Sequence, residues 1–578
     1  MREFRLSDPY GTAPAQAPFA QSVSRGVAWN DLPLTREYTI GQLLDQTIAR
    51  CGANDAIVFP DRDYRLTWLE LGREVDLVAR GLMALGIQRG EKIALWATNV
   101  PYWVVLMLAA AKIGAILLPL NTNYKKHELD FSLKQSGAEN LVIIEGYRDC
   151  DFTKVVRDLV PELGAMPRGM LKSAAFPRLK RVLFMGGTKY RGMYSLDEIK
   201  NLAQEVPYAD YFARQAELDV NDVVNMQYTS GTTGFPKGVQ LTHRNIANDS
   251  FWIALAQNFS VKDRLCVPVP LFHCFGCVLG VLCALNQGVT LVFVERFDPI
   301  QVLTAIEKEK CTAVYGVPTM YIAMLDHPLF DRFDLRSLRT GIMSGAACPV
   351  HRMRQVIEKM HMREVCIPYG LTEAGPVMTM TRYFEPSIER KCTTLGQALP
   401  GIEVAVIVPE TGEIAEIGQD GELCCRGYNN MKGYYNLPEQ TAACLDKNGW
   451  LHSGDIGRMD ADGYYYITGR LKDLIIRGGE NISPKEVEEF LGTMPGVRDV
   501  AVVGCPSKKY GEQPAAFIIR SEGSNITAED VANYCKNQIA WFKIPKYVHF
   551  LREFPLTASR KVRKFELREM AHDLWPYA

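Results

Sequence analysis

Charge of one sign is what this sequence has least of. Its 65 lysines and arginines face 66 aspartates and glutamates, a net charge of -1 at neutral pH. Such a balance exerts no bulk pull on nucleic acid or an anionic membrane, so neither is expected as a partner. Long apolar runs are missing too. The one stretch that approaches a membrane span, residues 102–120, is interrupted by Lys112, Gly114 and Pro119 and reads as a buried helix followed by a strand. The first 21 residues carry early charges and no apolar core, so no secretory leader is expected and the location expected is cytoplasmic. The 15 cysteines show no disulfide-framework spacing, and many lie inside apolar runs, as free thiols of a reducing compartment do. The glycosylation-like triplets Asn481-Ile482-Ser483 and Asn525-Ile526-Thr527 are then without consequence. No internal repeat is visible.

What is present is concentrated in Tyr228-Thr229-Ser230-Gly231-Thr232-Thr233-Gly234-Phe235-Pro236-Lys237-Gly238. Glycines let the backbone turn sharply and approach a ligand closely. Exposed N–H groups and hydroxyls can then face an anion, and Lys237 adds charge. This is not a Walker A loop, because Gly238 and Val239 follow the lysine where Ser or Thr is required. Alone, such a run also suits a flexible surface loop, so the rest of the chain must decide.

At 578 residues and 47% hydrophobic, the chain can bury several cores. Residues 1–35, rich in Pro, Ala and Gln, read as a loosely packed lead-in. Thr39 caps a helix that Gly52 stops, 56–59 and 92–97 are strands, and 66–85 is an amphipathic helix. Strands go on alternating with helices, which predicts α/β layers. The apolar run 265–285 contains His273-Cys274-Phe275-Gly276-Cys277. Without a second ligand pair, its Cys-x-x-Cys reads as packing thiols beside a functional His273 rather than a metal or redox site. Residues 313–317, 342–347 and 368–373 each run from apolar to small residues, as strand ends at a binding rim do. Glu373 and Thr372 offer the hard oxygens that Mg²⁺ prefers, although a Thr-Glu pair also caps helices. Asp460-Ala461-Asp462-Gly463 places its glycine too early for a calcium loop and reads as a hairpin turn. Helix 484–491, strands 499–503 and 515–519, helix 527–541 and strand 547–551 complete a compact α/β tail.

In this order the pieces resemble the adenylate-forming superfamily, with its acyl-CoA synthetases, luciferases and peptide-synthetase adenylation domains. The resemblance runs from about Thr39 onward. It rests on 228–238, Tyr369-Gly370-Leu371-Thr372-Glu373, His452-Ser453-Gly454-Asp455, Gly469-Arg470-Leu471-Lys472-Asp473 and Pro555-Leu556-Thr557-Ala558-Ser559-Arg560-Lys561. Ile475 to Ile482 with Pro484, and the segment 153–199, look like the medium-chain fatty acid–CoA ligase branch. The resemblance implies an adenylation domain over 1–470 and a small mobile α+β domain over 471–578. It implies ATP, Mg²⁺ and CoA as cofactor and co-substrates, with a monomer or homodimer.

Residue by residue, it implies that Thr229, Ser230, Gly231, Thr232, Thr233, Gly234 and Lys237 wrap the phosphates. Thr372 and Glu373 meet the α-phosphate and the metal, with Thr229 as a further ligand. Tyr369 and Gly370 hold adenine beside Gly345, Ala346 and Ala347. Asp455 and Arg470 take the ribose, His273 closes the acyl pocket, and Gly478, Gly479 and Glu480 pass the CoA arm. Lys472 is the hinge, and Lys561 bridges the carboxylate and phosphate. Arg560 departs from the family pattern, in which a glycine precedes that lysine; a solvated basic tail with Arg563 and Lys564 is the other reading. The implied reaction is attack of a carboxylate on ATP, release of pyrophosphate, then transfer of the acyl group to CoA. The favoured acid is a medium-chain fatty acid. Alternatives are an aryl or dicarboxylic acid, a carrier-protein or luciferase-type oxygen acceptor, or an inactive nucleotide-binding protein. No carrier domain is expected after Ala578. The segment 272–276 lacks the aspartate that would hold an amino acid's ammonium group.

Overall fold

Short capping signals decide where the first helices begin. The Thr39 hydroxyl accepts from the Gln42 N–H while the Gln42 side chain accepts from the Thr39 N–H, and the helix Ile40–Cys51 follows. Thr67 and Glu70 make the same box ahead of Trp68–Ala84. The computed structural model describes residues 19–29, 32–229, 236–345, 350–471, 473–477, 480–507, 510–536, 538–556 and 562–576, with the backbone alone at 476, 480 and 481. The chain divides into two compact units. One comprises Arg25–Val404 and Cys425–Leu451; the other comprises Ala405–Cys424 and His452–Ala578 with Pro18–Ser24.

The first unit is built on two large sheets. The eight-stranded sheet runs Met193–Ser195, Arg181–Phe184, Asn140–Ile143, Lys92–Trp96, Ile116–Pro119, Val223–Thr229, Lys237–Thr242, Gly433–Tyr434. Its first six strands are parallel, and the hairpin of the Gly-rich loop turns the far edge antiparallel. The seven-stranded sheet is parallel except for the hairpin Asp55–Phe59 and Tyr64–Thr67. Helices fill the crossovers, so the fold is α/β as expected. The helix Pro101–Ile113 is buried on every side and leads into the strand Ile116–Pro119. Its buried Lys112 is satisfied by Asp45 at 2.7 Å and Asp76 at 3.0 Å. No helix among the described residues is long and apolar enough to cross a membrane.

A five-stranded sheet is ordered Val23–Arg25, Ile402–Ile407, Gly421–Gly427, Leu451–Met459, Tyr465–Arg470. A second sheet pairs Val497–Ser507 with Gly511–Arg520, and Tyr547–Leu551 lies parallel to the latter. Residues 460–463 form the expected hairpin turn, with the Tyr464 carbonyl accepting from the Asp460 N–H.

Two expectations are corrected. The lead-in is not loose throughout, because Val23–Arg25 is a strand and Ser24 Oγ lies 2.8 Å from the buried Tyr465 hydroxyl. Its partners stand some hundreds of residues away, beyond any local signal. The helix read over 527–541 ends at Cys535. Val531, Cys535, Ile539 and Phe542 keep a helical spacing, but Lys536 turns to an extended backbone and a short turn carries the later side chains to the same core.

Candidate functional site

The Gly-rich loop is held between two antiparallel arms. Thr229 ends one strand, Lys237 begins the next, and the two are cross-strand partners. Ser230, Gly231, Thr232, Thr233 and Gly234 lie outside the described residues. Alternation puts Gln227 on the same strand face as Thr229. Cys274 Sγ donates to Gln227 Oε1 at 3.1 Å, and Gln227 Nε2 meets Cys277 Sγ at 3.0 Å. The Cys-x-x-Cys therefore clasps a glutamine at the root of the loop. Burial pushes the Cys277 thiol up to about 12 and Cys274 well above its ordinary value, so both stay protonated and pack as thiols. His273 is exposed at the head of this segment, its Nδ1 accepting from the Phe275 N–H. The helix that follows, Phe275–Leu282, is wound in the wider π form.

Glu373 comes to the same hairpin from a short helical turn, Thr372–Ala374. Its Oε1 accepts from the Tyr434 hydroxyl at 2.8 Å and lies 3.5 Å from Thr229 Oγ1. Its carbonyl accepts from the Met431 N–H at 2.8 Å. Lys237 Nζ stands over the Tyr434 ring, 4.7 Å from its centre. Burial, then the nearby Glu373 charge, pushes the Tyr434 hydroxyl far above its usual range, so it donates. Among the described residues no ion pair involves Glu373. Thr229, Lys237, Thr372 and Glu373 are thus brought together, and Tyr434, which the sequence reading missed, completes the group. Tyr434 belongs to no motif. Gln227 was missed too, although its place two residues before Thr229 on an alternating strand could have found it.

Tyr369 pairs with Thr379 in a small antiparallel sheet, and its carbonyl accepts from the Met378 N–H. Gly370 must be bare: a Cβ there would stand 2.3 Å from the Pro376 carbonyl oxygen. Gly345 follows the strand Thr340–Met343 with φ +95°, a conformation that favours glycine. Ala346 and Ala347 lie outside the described residues.

The second unit carries its own carboxylate. Asp455 is buried to 5% exposure on the strand Leu451–Met459, and Arg470 Nε donates to its Oδ1 at 2.6 Å from the cross-strand position. Glu422 shapes the turn ahead of it, accepting from the Gly454 N–H at 2.8 Å and meeting His452 Nδ1 at 2.7 Å. Ser483 and Lys485 donate to the Thr468 and Ile467 carbonyls and so anchor the chain past the second Gly-rich segment. Lys472, Gly478, Gly479, Arg560, Lys561 and the side chain of Glu480 lie outside the described residues.

The donor set of the first unit is chemically specific. One carboxylate and one hydroxyl, held by neutral donors beside a phosphate-type loop, are hard oxygens suited to Mg²⁺. Known proteins resemble the chain over most of its length. The sequence profile of the AMP-binding enzyme matches residues 44–435, and that of the AMP-binding enzyme C-terminal domain matches 486–561. YngI of Bacillus subtilis (strain 168), provisionally named an acyl-CoA synthetase, is 48% identical over 93% of this chain and 98% of its own length. The mitochondrial medium-chain acyl-CoA ligase ACSF2 of Danio rerio is 39% identical over 92% of this chain and 88% of its own. The crystal structure of ATP-bound MatB from Rhodopseudomonas palustris superposes with a TM-score of 0.79 at 29% identity, covering 93% of this chain and 100% of that one. With a family match over more than half its length and full-length relatives well above 30% identity, the chain belongs to the AMP-binding enzyme family.

Proposed function

We propose that this protein is an ATP-dependent acyl-CoA synthetase. It activates a carboxylic acid to an acyl-adenylate with release of pyrophosphate, then passes the acyl group to the thiol of CoA. The observation that carries this reading is the Glu373–Thr229–Tyr434 group at the end of the phosphate-loop strand. The names of the relatives support the ligase chemistry, and that of the Danio rerio relative supports a medium-chain acid.

In this reading Ser230 to Gly234 and Lys237 bind the phosphates, and Glu373 with Thr229 holds Mg²⁺. When bound, that ion would neutralise charge on the phosphates. Tyr434 orients the Glu373 carboxylate by donating to Oε1. Thr372 reaches the α-phosphate, while Tyr369, Gly370 and Gly345 to Ala347 frame the adenine. Asp455, with Arg470 beside it, accepts from the ribose hydroxyls. Lys561 brings the two anions, substrate carboxylate and phosphate, together in the first half-reaction. The domain over 471–578 then turns about Lys472. Gly478, Gly479 and Glu480 admit the CoA arm, and His273 clears the acyl pocket. Presenting one acceptor after the other keeps water from the adenylate.

A cytoplasmic location is kept in the proposal. The described cysteines are all free, as in any reducing compartment, and the named relatives include mitochondrial enzymes. The test is incubation with ATP, Mg²⁺, CoA and a panel of short, medium and long straight-chain acids plus benzoate, with thioester and AMP measured together. The proposal expects equal amounts of the two and the highest rate with a medium-chain acid. ADP in place of AMP, or AMP without thioester, rejects it.

A further inference from the structure

What fixes the Thr372–Ala374 turn lies outside the motifs. Two side chains grip the segment after it. Asp249 Oδ2 accepts from the Val377 N–H at 2.9 Å. Asn429 Nδ2 donates to the Ala374 carbonyl at 3.0 Å and to that of Val377 at 3.4 Å. Asn245 in turn donates to the Tyr428 and Asn430 carbonyls, which holds the segment that delivers Asn429. The same segment supplies the Met431 N–H and the Tyr434 hydroxyl to Glu373.

Asn245 and Asp249 stand four residues apart on one face of the helix His243–Ala256. Thr242 caps that helix directly behind the second arm of the phosphate-loop hairpin. One helix face therefore ties the loop's own arm to both segments that shape the acid's surroundings. We propose that Asp249 is a positioning residue: through Val377 it fixes the turn that aims Glu373 at a cation beside the phosphates, a role that rests on the reading of Glu373 given above.

The state of Asp249 suits a positioning part. It is completely buried, and among the described residues its Oδ1 has no hydrogen-bond partner. Burial pushes its carboxyl well above the ordinary carboxylate range, which favours the neutral form. The titratable groups around it are Tyr428 and Cys425 from the segment of Asn429, and Cys274 and Cys283 from the apolar run. All four are driven up by burial and uncharged. Asp249 serves as an acceptor, and asparagine offers the Val377 N–H an oxygen at the same place. A bare truncation offers none.

The experiment compares Asp249→Asn, Asp249→Ala, Asn429→Ala and Glu373→Gln with the parent enzyme. Three quantities are read: the Mg²⁺ concentration for half-maximal ATP–pyrophosphate exchange, transfer from supplied acyl-adenylate to CoA, and KM for the acid. Asp249→Ala is expected to need about tenfold more Mg²⁺, the usual scale for losing a residue that orients a metal ligand. Its transfer step stays at the parent rate, and Asp249→Asn restores the parent Mg²⁺ dependence. Parental Mg²⁺ dependence in Asp249→Ala overturns the proposal. So does an asparagine variant as impaired as the alanine one, or a change confined to KM for the acid. If Asp249→Ala does not fold, Asn429→Ala carries the same expectation and the same reversal. Glu373→Gln separates the two levels. If it keeps the parent Mg²⁺ dependence, the reading of Glu373 itself falls. If it shifts while the clasp variants do not, the inference about Asp249 falls alone.

Discussion

Glu373 and Asp455 are carboxylates held in opposite ways. Asp455 is neutralised where it stands, with the Arg470 guanidinium 2.6 Å away on the neighbouring strand. Glu373 is held by neutral hydroxyls, and Lys237 stands over the Tyr434 ring. A compensated carboxylate retains lone pairs for uncharged hydroxyls but little pull on a cation. An uncompensated one keeps its full charge for a metal. The difference teaches that a buried acid beside a guanidinium and a half-buried acid among hydroxyls are suited to different partners, an uncharged hydroxyl for Asp455 and a cation for Glu373.

The largest expected effect falls outside that pair and sets its scale. Lys561→Ala should lower adenylation by about 10² to 10³-fold, as losing a charge that stabilises a developing anion does. Thioester formation from supplied acyl-adenylate should survive. Equal loss in both half-reactions would remove Lys561 from the first step. Next comes the comparison itself. Glu373→Gln keeps the shape and removes the charge, so pyrophosphate exchange should fall by about 10 to 100-fold and need more Mg²⁺. Asp455→Asn should instead raise KM for ATP and leave the Mg²⁺ requirement alone. Identical Mg²⁺ shifts in the two would break the contrast.

Tyr434→Phe sharpens it. Deleting one hydroxyl that orients Glu373 removes a hydrogen bond worth about 1 kcal/mol, or roughly a fivefold loss in kcat/KM at limiting Mg²⁺. No change would leave Tyr434 a packing residue. The smallest effect concerns acid. Burial lowers the His243 imidazole to about 4, and its Nδ1 accepts from the Ile40 N–H at 3.1 Å. The folded protein thus keeps His243 neutral while the unfolded chain takes up a proton below about 6.5. Stability from this group is whole above that value and is lost as pH falls toward about 4. Between pH 6.5 and 5.5 the loss should be about 1 kcal/mol. His243→Asn keeps an acceptor without the titration, so thermal melts at the two pH values should move less than in the parent.

The sequence was most readable where one residue type answers a local need. Thr39 and Thr67 announce their helices, and Asp460-Ala461-Asp462-Gly463 announces its turn. Thr229, Lys237, Thr372 and Glu373 could be named before any fold was known, because loop glycines and hard oxygens have few other uses together. Tyr434 and Asn429 could not, since their partners are reached only through the pairing of Lys237–Thr242 with Gly433–Tyr434. Asp249 was hidden for another reason. An acid inside a helix reads as solvent-facing, and only the packing of the Ala374–Val377 segment turns it into a buried acceptor. The strand Val23–Arg25 was missed likewise, because register across hundreds of residues leaves no local trace.

The central claim is that the chain activates a carboxylic acid on ATP before CoA takes part. The direct measurement is exchange of labelled pyrophosphate into ATP without CoA, with and without a medium-chain acid, in the parent and in Glu373→Gln. The account predicts exchange that requires both the acid and Mg²⁺ and is nearly lost in the variant. Acid-independent exchange, no exchange until CoA is added, or full exchange in Glu373→Gln would contradict it.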